Sequence, residues 1–270
     1  MLFTEDIHVH TKLSNCAEPT AIAADYLRQA KELGYDLIGF ADHLWDERIP
    51  VCTPWYSNQN VPHVVSLREE LRSVEPNGVQ VLVGAECEYD AAHRDIAITK
   101  EGAEQLDFLI VPNSHTHITY GGDRQDRPAH ADFMMQAFWD ILESPCSSFV
   151  TAVAHPFCAV CCPYPPEELL PLYTDDALSK AFTAAAKKGI AMEFNPCVVA
   201  DVKEEGDDAL RKTEWFRLFS AMKDCGCRFT FGSDRHTAIR YHRYPKLERF
   251  AELVGITEAD MVRKAGGAEA

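Results

Sequence analysis

Short apolar runs alternate with longer amphipathic segments along almost the whole chain, and this feature constrains the fold most. Seven runs rich in β-branched and aromatic residues predict strands, at residues 6–9, 37–41, 79–85, 108–111, 149–154, 191–194 and 228–231. The segments between them have helical spacing of apolar residues and predict helices, at 20–33, 63–74, 129–142, 175–187, 210–224 and 247–254. Alternation of this kind is typical of βαβ units, in which helices cover a parallel sheet.

Length and composition favour one domain. The chain has 270 residues, 46% hydrophobic and 25% charged, which excludes disordered chains and small disulfide scaffolds. Barrels of alternating strands and helices reach roughly 250 residues as one domain, and no linker or repeat divides this chain. We therefore predict one domain over residues 1–270. A proline-rich segment around Pro163, Pro165 and Pro166 is expected to be a surface loop, because proline fits inside neither a strand nor a helix.

The charge of the chain limits its partners. A net charge of −16 at pH 7 repels phosphate backbones and acidic membrane surfaces. The sequence has no run of about 18 apolar residues that would span a bilayer, and its first six residues lack a basic segment typical of export signals. We expect a cytoplasmic protein with no nucleic-acid or membrane partner; the sequence leaves its oligomeric state open.

The ten cysteines are irregularly spaced, and this favours reduced thiols over a disulfide framework. Cys158, Cys161 and Cys162 form the densest group, with Cys225 and Cys227 far downstream. A four-cysteine zinc site built from these residues is the less favoured interpretation, because structural zinc sites have two regularly spaced pairs. The role of the three clustered cysteines stays open.

Potential metal ligands follow the predicted strands, at the point where each strand ends. In barrels of parallel strands the carboxyl ends meet at one face, and that face carries the active site. Buried ionisable side chains are costly unless they are paired or bound to metal, so a series of them indicates a metal site. The series comprises His8, His10, Asp42, His43, Glu86, Glu88, His115, His117, His155, Glu193, Asn195, Asp234 and His236.

Seven motifs in this order resemble those of the PHP (polymerase and histidinol phosphatase) family of metal-dependent phosphoesterases, histidinol phosphatases in particular. They are HVHTKLS, FADH, GAECEYD, PNSHTH, VAHP, EFNP and GSDRH, and they span about residues 6 to 236. The resemblance implies a distorted (β/α)7 barrel, related to the TIM barrel. It also implies a cluster of two or three divalent metal ions, commonly zinc, manganese or iron.

Carried over residue by residue, the resemblance implies a ligand set. One metal would be held by His8, His10, Glu86 and Asp234, and Glu86 would bridge to a second metal held by His115 and His155. His43 and His236 would hold a third metal. Cys16 stands where phosphatase-like members often have a third histidine. Two interpretations of Cys16 remain: a thiolate ligand, which favours zinc over manganese, or a small apolar residue packed beneath its loop.

This ligand set predicts a reaction. A bridging carboxylate can hold two metals about 3.5–4 Å apart, and such a pair acidifies a bridging water whose hydroxide attacks phosphorus in line. We assign Glu86, Asp234 and His236 to catalysis. A nearby cation or imidazole is expected to bind the phosphate. The candidates are Lys12, Arg94, Arg124, Arg127, Arg235 and His117. Of these, Arg94, Arg124 and Arg127 are expected to lie on loops.

Structural roles are considered for the other polar residues. His63 and His242 are predicted to lie at the surface or in packing contacts, and His130 is undecided. Glu88 either orients a histidine or is solvated, and Asp42 is expected to support the barrel.

The leading hypothesis is a phosphatase acting on a small phosphomonoester such as histidinol phosphate or a nucleotide. The alternatives are a PHP-type nuclease or phosphodiesterase, an amidohydrolase and a non-catalytic PHP module. The amidohydrolase is less favoured because no lysine ends a middle strand, and the non-catalytic module because eight of the nine family ligand positions are filled.

Overall fold

The computed structural model describes residues 1–123, 125–159, 162–203 and 206–264. Its strands are β1 (Glu5–Val9), β2 (Leu37–Leu44), β3 (Gln80–Cys87), β4 (Tyr89–Asp90), β5 (Asp95–Ile96), β6 (Leu109–Pro112), β7 (Val150–Ala154), β8 (Ala191–Phe194) and β9 (Phe229–Phe231). Seven of them form one parallel sheet in the order β1-β2-β3-β6-β7-β8-β9, and β4 and β5 form a small antiparallel pair. All seven predicted strands are present in this sheet, with ends shifted by at most three residues.

Helices connect the strands and cover the sheet. They are α1 (Ala23–Leu33), α2 (Val61–Val65), α3 (Leu67–Leu71), α4 (Lys100–Ala103), α5 (Thr116–Thr119), α6 (Arg127–Glu143), α7 (Pro166–Leu169), α8 (Asp175–Lys188), α9 (Cys197–Ala200), α10 (Asp207–Arg211), α11 (Glu214–Asp224) and α12 (Pro245–Val254). Short 3-10 turns lie at Pro54–Tyr56, Ser147–Phe149, Leu170–Leu172, Ala238–Arg240 and Glu258–Asp260. The alternation of strands and helices confirms the predicted α/β barrel.

Local hydrogen bonds change some predicted helix boundaries. The helix predicted from residue 20 starts at Ala23, because the backbone of Ala21 is bound by Lys12 of the preceding loop. The helices predicted at 63–74 and 210–224 are each two helices; in the second case the Thr213 side chain caps a new start. The expectation of a loop at Pro166 is wrong, because proline at the first helical position needs no hydrogen-bond partner for its nitrogen.

The barrel closes at its carboxyl end. β1 and β9 do not form a ladder; instead Val9 bridges to Arg235, beyond the end of β9. The His10 N–H donates to the Arg235 carbonyl at 2.9 Å, and the Asp234 N–H donates to the His8 carbonyl at 2.8 Å. The closure therefore fixes the first and last candidate metal-binding segments against each other.

Apolar side chains fill the barrel below this closure. The interior cluster comprises Ile7, Leu37, Ala41, Phe108, Ile110, Ala152, Ala154 and Ala191. Phe108 lies against two glycines: a β-carbon at Gly84 would come within 2.5 Å of its ring, and one at Gly39 within 2.8 Å. The two glycines thus make room for one aromatic ring, which supports the residues above it.

No helix in the described part of the chain is long and apolar enough to cross a bilayer.

Candidate metal centre

Strand geometry brings the predicted ligands to one place at the carboxyl end of the barrel. His8 and His10 are two residues apart at the end of β1 and point to the same side. His43 of β2 is the register partner of Glu86 of β3, so these side chains lie next to each other. Nearly all of the cluster is buried: His8, His10, Glu86 and His155 are at most 2% exposed.

Glu86 lies at the middle of the cluster, with its two carboxylate oxygens facing different imidazoles. Oε2 is 3.0 Å from His43 Nδ1, 3.4 Å from His10 Nε2 and 3.5 Å from His8 Nε2. Oε1 is 2.9 Å from His155 Nε2 and 3.5 Å from His115 Nε2. One carboxylate therefore connects two sets of ligand atoms, the arrangement that a bridging role requires.

Asp234 completes the set around His8 and His10. Its Oδ1 is 3.2 Å from His10 Nε2 and 3.5 Å from His8 Nε2, and these two nitrogens are 3.1 Å apart. Among the described residues, three groups place their ligand atoms within 4.8 Å of one another: His8, His10 and Asp234; His8, Glu86 and His155; and His10, His43 and His236.

Cys16 lies beside the third group. Its side chain is exposed, and its thiol is hydrogen-bonded to the imidazoles of His236 and His43. Loss of surrounding water at the cavity wall works against ionisation, but the two hydrogen bonds lower the pKa of this thiol to about 7. The two imidazoles beside its sulfur favour the interpretation of Cys16 as a metal ligand over that of an apolar residue packed beneath its loop.

Hydrogen bonds outside the cluster orient the imidazole rings, so that the second nitrogen of each points inward. The bonds join His8 Nδ1 to Glu193 (2.9 Å), His10 Nδ1 to Ser14 Oγ (2.9 Å), His115 Nδ1 to Glu88 (2.6 Å), His155 Nδ1 to Ser114 Oγ (2.8 Å) and His236 Nδ1 to the Asp234 carbonyl (3.0 Å). Outer partners of this kind fix the tautomer and orientation of metal-binding histidines.

Asp42 supports the loop after β1, as the sequence predicts. Its carboxylate accepts hydrogen bonds from the Thr11 N–H and hydroxyl and from the Ser14 hydroxyl, each at 2.7 Å. Ser14 in turn holds His10. Asp42 thereby acts on the centre through the loop and not as a ligand.

Two of the predicted ligands have unusual backbone conformations. His155 has φ of +26° and Asp234 has φ of +53°. Side chains other than glycine rarely adopt this left-handed region, which costs energy and is concentrated at functional sites. The surrounding contacts thus hold both side chains in orientations that a regular strand would not give.

The charge balance of the cluster fits divalent cations. Burial by itself would raise the pKa of Glu86, but the imidazoles of His43 and His8 hold it well below its usual range. Burial would lower the pKa of His155, but its hydrogen bond to Glu86 raises it to about 9. The buried carboxylates therefore need positive charge beside them, and metal ions can supply it in place of imidazole protons. Imidazole nitrogens with carboxylate oxygens suit zinc, manganese and iron.

A cavity of about 440 Å³ opens onto this centre. Predicted metal ligands form its floor, and the side chains above them form its walls. The lining comprises Cys16, His43, Thr53, Trp55, Glu86, His115, His117, Ile118, Asp234 and His236. Of the candidate substrate-binding residues, His117 is in this lining, with its ring 5.3 Å from that of His115.

The candidate cations of the described chain do not line the cavity. Lys12 pairs with Glu70 at 2.8 Å, and Arg94 holds Asp140 through two hydrogen bonds. Arg127 pairs with Glu168 and belongs to α6, so its placement on a loop is wrong. The guanidinium of Arg235 lies over the Tyr244 ring. Arg124 lies outside the described residues.

Carboxylates and aromatic rings thus engage these four cations away from the cavity, as an excess of acidic residues favours. The expectation that one of them would bind the phosphate has no support from their positions.

His63 and His242 lie in contacts of the kind expected for surface or packing residues: His63 contacts the Leu13 carbonyl at 3.0 Å, and His242 contacts Arg235. His130, which the sequence left undecided, is buried against the Tyr120 ring.

The downstream cysteines do not join the upstream group. Cys225 contacts Ser179 and Cys227 contacts the Phe182 carbonyl, both on α8, whereas Cys158 is hydrogen-bonded to Cys197. Cys161 lies outside the described residues. Among the cysteines that the structure describes, the four-cysteine zinc site is therefore not formed.

Comparison with known proteins decides the family. The PHP domain family matches residues 6–196 of the chain. The chain belongs to the PHP domain family. This match covers the strands β1 to β8, and Asp234 and His236 lie beyond it on the segment that closes the barrel.

Relatives match almost the whole chain. The probable phosphatase YcdX of Escherichia coli K12 is 26% identical over 254 residues, covering 94% of this chain and 86% of that protein. YcdX of Escherichia fergusonii is 25% identical over 257 residues, covering 95% and 88%. A histidinol phosphate phosphatase from Lactococcus lactis, solved with zinc, L-histidinol and phosphate, superposes with a TM-score of 0.66 at 17% identity and covers 94% of each chain. This last likeness shows that the fold is shared.

The sequence did not identify Glu193, Ser14 and Ser114 as residues that orient the imidazoles. Glu193 had a usable signal, because it lies on the same strand face as Ala191 of the barrel interior. The two serines had no such signal. Ser14 contacts His10 from the turn after β1, and Ser114 contacts His155, which is distant in sequence.

Proposed function

We propose that this protein is a metal-dependent phosphatase that hydrolyses a small phosphomonoester at a cluster of two or three divalent metal ions. The observation that carries the proposal is the position of Glu86, with one oxygen toward His8, His10 and His43 and the other toward His115 and His155. The family match and the phosphatase relatives support the same reaction class.

The ligand assignment follows from the groups around Glu86. His8, His10 and Asp234 would hold one metal with Glu86 Oε2, and His115 and His155 would hold a second with Oε1. His43 and His236 would hold a third, with Cys16 beside it. When bound, the metals would lower the pKa of a water molecule and offset negative charge on the phosphoryl group.

The chain's own residues prepare this chemistry. Glu86 ties the two ligand sets together, and Asp234 lies both among the ligands and in the cavity wall. His236 donates from Nδ1 to the Asp234 carbonyl, so its Nε2 is left to bind a metal or to contact substrate. His117 is the proposed contact for substrate oxygens, because among the candidates that the structure describes it lines the cavity.

The substrate is expected to be a small phosphorylated metabolite. The cavity of about 440 Å³ has the size of small-molecule sites. The net charge of −16 opposes nucleic-acid substrates. We propose a cytoplasmic location, which the nine free cysteines of the described chain support.

Metal analysis of Glu86→Gln, combined with phosphate release, tests the proposal. We expect about two to three metal equivalents in the parent protein after metal-supplemented expression. In Glu86→Gln we expect the loss of at least one equivalent and a drop in turnover of at least about a hundred-fold, since a neutral amide is a poor bridge between cations. Glu143→Gln, at an exposed position of α6, is the matched control and should behave as the parent. Parental turnover in Glu86→Gln would contradict the proposal.

A further inference from the structure

An aromatic wall stands beside the candidate metal centre. The Trp55 ring is half-buried in the cavity lining and meets the His43 ring edge to face, with centroids 5.2 Å apart. Behind it, the buried Tyr56 ring packs against Trp55 at 4.7 Å. The indole therefore borders the space that a molecule entering the cavity would occupy.

Hydrogen bonds from the Asn15 and Gln59 side chains hold this wall in position. The Trp55 carbonyl accepts from Asn15 Nδ2 at 2.7 Å and from Gln59 Nε2 at 3.0 Å. Gln59 also accepts from the Asn15 N–H at 2.8 Å. Asn15 directly precedes Cys16 in the chain, so these hydrogen bonds tie Trp55 to the segment that borders the metal centre.

An aliphatic side chain from another loop also lines the cavity. Ile118 is half-buried and lies one turn after His115 on the short helix α5. Its N–H donates to the His115 carbonyl at 3.1 Å, which fixes its place relative to a predicted ligand. Trp55 and Ile118 thus give the cavity apolar wall surface.

Charge in the cavity is confined to its floor. Within the described part of the chain, the lining has no lysine or arginine, and its carboxylates are the predicted ligands Glu86 and Asp234. An anionic group on the departing part of a substrate would lose water there without gaining a cation. The cavity walls therefore disfavour an anionic leaving group.

We infer that the natural substrate is a phosphomonoester whose leaving alcohol has no negative charge and carries a flat aromatic ring, which lies against Trp55 and Ile118. This inference rests on the proposed function and adds the class of substrate. Aromatic rings pack favourably on indole, and burial of a ring adds hydrophobic stabilisation. Specificity would thus come from apolar contact next to the metals, with no second charged group involved.

A pair of esters with equally poor leaving groups tests the inference. Benzyl phosphate and ethyl phosphate release alcohols of similar acidity, so a difference in kcat/KM reports on contact with the wall. For the metal-loaded protein we expect kcat/KM to be at least about ten-fold higher for benzyl phosphate. Phosphoglycolate, which has an anionic leaving group, should be the slowest of the three.

Variants locate the preference on the wall. Trp55→Leu keeps apolar volume but removes the flat face, and should lower the benzyl to ethyl ratio at least about five-fold. Trp55→Phe should retain most of the ratio, and Trp139→Leu, a partly buried tryptophan of α6 outside the cavity lining, should retain all of it. A parental ratio within two-fold of one, or an unchanged ratio in Trp55→Leu combined with Ile118→Ala, would overturn the inference.

Failure of the proposed function gives a different result. If the metal-loaded protein hydrolyses none of the esters, the phosphatase proposal fails. Calorimetric binding of benzylphosphonate and ethylphosphonate then decides the inference by itself. About ten-fold tighter binding of the benzyl compound supports the aromatic wall, and equal binding overturns it.

Discussion

At the residue scale, the centre depends on side chains that never touch a reacting atom. Each predicted histidine ligand has two ring nitrogens, and a serine, a carboxylate or a backbone carbonyl engages one of them at His8, His10, His115, His155 and His236. The orientation of the inward nitrogens is therefore set before any metal binds.

Glu193 is the positioning residue whose removal should weaken metal binding most. It accepts from His8 Nδ1, from the His155 N–H and from Asn195 Nδ2. We expect Glu193→Ala to weaken metal binding about 10–100-fold, with Glu193→Gln in between because an amide oxygen still accepts from His8. Metal titration by calorimetry measures this. Unchanged metal affinity in Glu193→Ala would show that Glu193 serves only the fold.

Cys16 decides the character of the third group. If its sulfur is a ligand, Cys16→Ser should lose up to about one metal equivalent, and Cys16→His should restore it and widen the tolerance to manganese. Elemental analysis and activity with zinc or manganese measure both effects. Cys52→Ser, at another exposed cysteine, is the matched control. If both Cys16 variants keep the metal content of the parent protein, Cys16 is not a ligand and the third group consists of histidines alone.

At the element scale, the strands deliver ligands because they share a direction and a register. His43 and Glu86 meet because β2 and β3 pair residue by residue from Leu37 to Leu44. Packing below the centre maintains this register, and Phe108 lies close against Gly39 of β2 and Gly84 of β3 there.

Gly84→Ala should therefore destabilise the barrel. The new methyl group would lie 2.5 Å from the Phe108 ring, so the ring or the strand that carries residue 84 would have to shift. Overpacking of this kind costs about 1–3 kcal/mol of unfolding free energy. Phe108→Leu in the same chain should recover part of the loss, and urea unfolding of the two single variants and the double variant measures the coupling. Additive losses would refute the proposed steric conflict.

Elements were predictable where a periodic pattern runs through them. β8 was located to the residue, and the other strands of the large sheet to within three. Predicted boundaries were wrong where a single hydrogen bond intervenes: the Thr213 side chain caps a new helix, and the Ala21 carbonyl is held by the Lys12 N–H of the loop ahead of its helix. Such contacts depend on local atoms that periodicity does not describe.

At the scale of the whole molecule, folding brings carboxylates and imidazoles together in a buried site, where they lose contact with water. A bound cation offsets this cost because it interacts favourably with the buried carboxylates. Metal binding to the native state alone stabilises a protein by about 2.7 kcal/mol when free metal is at 100 times Kd.

Removal of metal with a chelator should accordingly lower Tm by about 5 °C or more, and added zinc should restore it. Differential scanning calorimetry measures the shift. Parallel scans of Glu86→Gln, which lacks the bridge, should show a smaller response. A parental Tm that is indifferent to chelator and zinc would argue against a metal cluster.

The net charge of −16 should also be visible in substrate choice. We expect a small phosphomonoester to be hydrolysed at least about ten times faster than single-stranded DNA, because the acidic surface repels the polyanion. Phosphate release and nucleotide release at matched moderate salt compare the two. DNA turnover equal to or above that of the monoester would favour the nuclease alternative.

The sequence by itself determined the alternation of strands and helices, the family and the identity of the predicted ligands. It could do so because strand periodicity is local and because each ligand follows directly after an apolar run. Tertiary structure alone decided which cations are free to reach the cavity and which rings face each other. Lys12 lies two residues after His10 in the sequence, yet Glu70, which is distant in sequence, holds it away from the cavity. Trp55 had no sequence signal, since its role comes from a loop that folds over His43. Contacts of this kind join residues far apart in the chain, and only the closed barrel sets the distances between them.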